Sequence, residues 1–142
     1  NNPGKVDKLI LGSCAIKRNK KLNKIISAGL DYCSREEENK LGNLLISGFG
    51  ESIPDSLKKK IEEQFFTINP RHLEAFCYQS RFLLKNHLTD IVDLSKITAT
   101  TLIVYGDKDE VSDLADVYSL QDKIQGAELI IIKGIGHFLH LE

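Results

Sequence analysis

Neither methionine nor tryptophan occurs among the 142 residues, and there are only three prolines and three cysteines. Without methionine the chain does not open on a translation start, and Asn1-Asn2-Pro3-Gly4 reads as a loop inside something longer. The end is as abrupt, since Leu139-His140-Leu141-Glu142 begins an amphipathic pattern with no helix-ending signal. An excised segment is the expectation. Cys14, Cys33 and Cys77 are odd in number and lack CxxC or other metal-ligand spacing. That argues against a disulfide framework and structural zinc, and for a reducing, cytoplasmic setting. An excess of either charge is missing too: 19 Lys and Arg against 20 Asp and Glu give a net charge of −1. No sequence-wide field would then draw the chain to nucleic acid or an anionic membrane. No apolar run approaches the roughly 20 residues that cross a bilayer, and these residues open on no signal-peptide pattern, so a soluble chain is the expectation. The basic run Lys17, Arg18, Lys20, Lys21 reads as a solvated helical face and is given no function.

What remains is 42% hydrophobic residues in 142, enough for one packed domain. Val6 to Gly12 is a short, β-branched apolar run bounded by turn formers, expected as a central parallel strand buried on both faces. Leu22, Ile25, Ile26 and Leu30 share one face of a helix ending near 31–34. From there to residue 94 the periods are helical: Leu41, Leu44, Leu45; Leu57, Ile61, Phe65; Leu73, Phe76, Cys77, Leu84. Pro54 and Pro70 suit first helical positions and Asn69 suits an N-cap. Gly48-Phe49-Gly50 lacks a third glycine and follows no strand, so a helix-to-helix turn is expected there rather than a phosphate loop. Thr101 to Tyr105 and Leu129 to Ile132 are two further strand runs, separated by a helix with Val117, Leu120 and Ile124 on one face and Gly126 past its end. Strand, helix, strand predicts a parallel βαβ unit and an α/β fold.

In a parallel sheet the loops after the strands' carboxyl ends gather on one rim, where ligands bind. Gly106-Asp107-Lys108-Asp109 follows one such strand and Gly134-Ile135-Gly136-His137 the other. A carboxylate that holds an imidazole in orientation makes the imidazole a base awaiting a nucleophile. From the residues alone this pairing stays open against a plainer one, in which Asp109 caps a turn and His137 is solvated.

The ordered set of the Gly106–Asp109 turn, Gly126-Ala127-Glu128-Leu129 and Gly134 to Glu142 resembles the end of an α/β-hydrolase. In that family a G-x-x-D turn after the penultimate strand supplies the acid of a catalytic triad, which falls on Asp109, and a G-x-G-H turn supplies the base, His137. Asp107 is the lesser candidate for the acid and reads better as a turn residue bonding backbone N–H groups. Lys8 to Ser13 resembles the strand after the nucleophile-bearing helix, and the helical middle resembles an inserted cap. The implied fold is thus a partial α/β-hydrolase: residues 1–30 a core strand and helix, 31–94 a helical cap, 95–142 the strands and helix carrying Asp and His.

One departure is large. No G-x-S-x-G occurs, so the nucleophile and the oxyanion-hole donors lie outside this chain, and the segment alone is expected to be inactive. Ser13 and Cys14 lack the flanking glycines that a substitute would need. The function implied for the parent is esterase-like hydrolysis of an ester or related carbonyl substrate. A dehalogenase, haloperoxidase or carbon–carbon bond hydrolase of the same fold is the alternative within the family. From another class, the chain could be a noncatalytic interaction module or inactive fragment, associating with a missing N-terminal half or with itself. Phe65, Phe66, Phe76, Tyr78 and Phe82 read as core; any that line the cleft would favour an apolar or aromatic acyl substrate. His140 reads as structural, His72 and His87 as surface or packing residues of the helical cap, and no cofactor-binding or metal-ligating residues are expected.

Overall fold

Three apolar runs make one parallel sheet. The computed structural model describes residues 4–14, 16–35, 40, 43–44, 53–65 and 70–140. Its strands are β1 (Lys8–Gly12), β2 (Thr100–Gly106) and β3 (Glu128–Ile132), in the order β1-β2-β3. Both pairings are parallel, with Leu11 opposite Ile103 and Ile103 opposite Leu129. All three strands therefore run out onto one rim, at Gly12, Gly106 and Ile132. Parallel neighbours need crossovers. The long one, from β1 to β2, carries α1 (Lys20–Ser34), α2 (Asp55–Phe65), α3 (Pro70–Lys85), α4 (Leu88–Ile91) and a 3-10 turn at Leu94–Lys96. The short one is α5 (Leu114–Lys123) alone.

The expected face of α5 is the one that packs on β2. Val117, Leu120 and Ile124 are no more than 1% exposed and meet Ile103, Tyr105, Ile16 and Leu94 in one core cluster. Each such aliphatic side chain contributes about 1.5–3 kcal/mol of burial. Gly126 follows with φ +75°, a conformation that costs other L residues and lets the chain turn back into β3.

Two expectations need correction. Among the described residues β1 is an edge strand, not a central one, and Ile10 is 70% exposed. In β3, Ile130, Ile131 and Ile132 are 39–49% exposed rather than buried on both faces. An apolar run specifies a strand, but burial of its second face needs a covering layer, and only α5 packs closely on the described sheet. Within the helical middle, α1 packs against α3. Pro70 opens α3 as expected. Pro54 instead stands just before α2, its carbonyl accepting from Leu57 and Lys58 N–H at 2.9 and 3.1 Å. Asn69, Leu41, Leu45, Phe66 and the turn at 48–50 lie outside the described residues, as do the side chains of Ile61, Phe65, His72 and Leu73.

Candidate active site

Two loops leave the rim and touch. A Cβ on Gly106 would stand 2.6 Å from the carbonyl oxygen of Gly136 and closer still to that of Ile135, so only glycine admits the second loop. Backbone bonds then join the loops. Asp107 N–H donates to Ile132 O at 3.0 Å and Lys108 N–H to Ile135 O at 2.9 Å. The Asp107 carboxylate accepts from Gly134 N–H at 2.6 Å, a turn residue bonding backbone, but across the two loops rather than within one.

Asp109 turns inward. Its side chain is fully buried, and Oδ1 accepts from the N–H groups of Val111 and Ser112 at 2.8 and 3.0 Å. Oδ2 lies 3.0 Å from Nδ1 of His137. Burial, the largest single influence, pushes the carboxyl up. The hydrogen bond with His137, its charge, and the two backbone donors outweigh that and hold Asp109 below the ordinary carboxylate range. An ionised carboxylate only accepts, which assigns the proton to Nδ1 and leaves Nε2 as the ring nitrogen not held by Asp109. The His137 side chain is 26% exposed and meets the Phe138 ring edge-on, centroids 5.4 Å apart.

The acid loop is held from behind by residues that the sequence did not single out. The Tyr105 hydroxyl reaches the carbonyls of Asp109 and Ser112 at 3.1 and 2.9 Å, and Ser112 Oγ donates to Ser13 O at 3.2 Å. The available signal was a hydroxyl at the inward end of an apolar strand, which needs a partner once buried. Ser13, just past β1, has φ 48° and is nine-tenths buried, its own Oγ without a hydrogen-bond partner. Asp116 accepts from the N–H groups of Ile16 and Lys17, the second at 2.8 Å, fastening the segment after β1 to the start of α5. Arg18, expected on a solvated face, directs its guanidinium at the carbonyls of Leu83, Leu84 and Asn86 at the end of α3.

Beside His137 opens a cleft of about 360 Å³, lined by Leu22, Ile25 and Ile26 of α1, Phe76, Ser80 and Leu83 of α3, and Val111 and Phe138. Phe76, expected in the core, thus faces the cleft, while Tyr78 and Phe82 are 74% and 45% exposed. His140 stands 6.5 Å from the Phe138 ring, and His87 donates its backbone N–H to Asp90 at the start of α4. Among the described residues no group of three or more His, Cys, Asp or Glu is placed to hold a metal ion. No described helix is long and apolar enough to cross a membrane.

No protein-family profile matches the sequence. A curated relative, the (R)-3-hydroxydecanoyl-ACP:CoA transacylase of Ectopseudomonas oleovorans, is 21% identical over 141 residues, covering 99% of this chain and 48% of its own length. The chain spans about half the length of the curated relatives it matches. Among solved structures, the enol-lactonase of Burkholderia xenovorans superposes with a TM-score of 0.76 at 13% identity, over 95% of this chain and 50% of that one. An α/β hydrolase from a deep-sea metagenome library gives 0.75 at 17%, over 93% and 50%.

Proposed function

We propose a function from the fold that these likenesses establish, the C-terminal portion of an α/β-hydrolase: the parent protein cleaves an acyl substrate with His137 as base and Asp109 as its orienter. The 3.0 Å contact between a fully buried carboxylate and Nδ1 carries this reading. The nucleophile comes from residues outside this chain, whose sequence has no G-x-S-x-G. Nε2 takes the nucleophile's proton as it attacks the carbonyl carbon, and Asp109 stabilises the imidazolium so formed. The proton then passes to the leaving group. The same nitrogen activates the acceptor that releases the acyl group.

Residues 31–94 serve as the cap, whose helix α3 forms one wall of the cleft beside His137 together with α1 of the core. Its lining of Leu, Ile and Phe side chains favours an apolar acyl chain. The acceptor is water, or a thiol, as the name of the transacylase relatives supports.

The test uses the complete parent with a chromogenic acyl ester. His137→Ala and Asp109→Asn should each lower kcat by about 10³–10⁴-fold, with KM little changed. Undiminished turnover in His137→Ala overturns the proposal. Adding coenzyme A then separates the acceptors, since a thioester product identifies thiol transfer and free acid alone identifies hydrolysis.

A further inference from the structure

The three cysteines are all free. Cys14 is spent locally, its Sγ donating to Gly12 O at 3.4 Å. The other two sit on facing helices, Cys33 in the last turn of α1 and Cys77 midway along α3. These helices run antiparallel: Leu22 and Ile25 at the start of α1 share the cleft with Leu83 near the end of α3, and Arg18 reaches the carbonyls there. That register sets Cys33 beside Cys77 where α1 packs against α3, each the other's neighbour across the interface. Both are half-buried, open to a small reagent yet held by the helices that carry them.

From this juxtaposition we infer that Cys33 and Cys77 are a modification site, closing to an intramolecular disulfide by exchange with a small-molecule disulfide such as oxidised glutathione and fastening α1 to α3. The chemistry balances in two displacements. The Cys77 thiol gives its proton to solvent and attacks one sulfur of the reagent, forming a mixed disulfide and expelling one reagent thiolate, which solvent protonates. Cys33 then gives up its proton to solvent, attacks the Cys77 sulfur and expels the second reagent thiol. The protein pair loses two electrons and two protons, and the reagent disulfide is reduced to two thiols. Burial first, then the neighbouring Cys77, push the Cys33 thiol up to about 12, against a smaller opposing effect of Arg81. A thiol held protonated is the slower first nucleophile, which places Cys33 in the second step. Because α1 and α3 both line the cleft, a bond between them fixes its width from one end.

The native protein is treated with oxidised glutathione, unfolded, alkylated and digested, and its cysteine peptides are weighed. The expected result is a linked Cys33–Cys77 peptide pair with Cys14 alkylated, and, in Cys33→Ser, glutathione retained on Cys77. The bridged protein should melt roughly 5 °C or more above the reduced one. Recovery of Cys33 and Cys77 as alkylated thiols or separate glutathione adducts overturns the inference, as does a bridge to Cys14. A melting temperature unchanged or lowered by the bridge removes the fastening role.

Discussion

Asp109 has every reason to stay ionised in the folded protein: two backbone donors on one oxygen, an imidazole on the other, and no solvent contact. Its folded pKa is depressed, so its contribution to stability is present above the unfolded aspartate value of about 3.9 and is lost as pH falls through the lower folded value. Urea unfolding of the intact protein should therefore show wild type losing its advantage over Asp109→Asn below about pH 4. An advantage that is constant down to about pH 2 contradicts the ionised state. Gly106 makes a steric demand instead. In Gly106→Ala the new methyl group meets two carbonyl oxygens of the neighbouring loop. Denaturant titration should show a loss of about 3 kcal/mol, and under the proposed function the parent's activity should fall with it because His137 rides on the displaced loop. A loss within about 0.5 kcal/mol would mean that the loops do not approach this closely.

The elements show which features local pattern could reveal. The periods of α5, β2 and β3 are written in consecutive residues, and so are the two glycine-bearing turns after the strands; a βαβ unit with acid and histidine on one rim follows from them directly. Arg18 shows the other case. Nothing in its neighbours says that its guanidinium will meet the last carbonyls of a helix that begins more than fifty residues later, because that partner exists only once α1 and α3 have packed. The same holds for Tyr105 with the acid loop and for Cys33 with Cys77. Arg18→Ala should leave those carbonyls without their charged donor, costing about 1–2 kcal/mol. Amide exchange should quicken in the last turn of α3 and stay unchanged in α5. Equal exchange in both variants at that turn would assign the cap to water instead.

For the molecule as a whole, the sheet shows how far a single chain's pattern goes. The runs at 6–12 and 129–132 predict strands correctly and burial wrongly, since covering a strand depends on what packs over it. Ile10 at 70% exposure and the three isoleucines of β3 leave apolar surface on the described sheet, and β1 presents an unpaired edge among the described residues. Such surfaces favour pairing with another chain. These 142 residues expressed by themselves should self-associate, with sedimentation that depends on concentration, and Ile10→Lys should shift the distribution toward monomer by placing a charge on the edge. A concentration-independent monomer in the unmodified segment would contradict this.

Asp109 and His137 lie only 28 residues apart, and the one helix between them belongs to the same βαβ unit. Their alignment is thus fixed inside a cassette whose geometry owes little to the wall above the cleft. Mutations drifting through α1 or α3 can then reshape the cleft, while the Asp109–His137 pair is inherited intact.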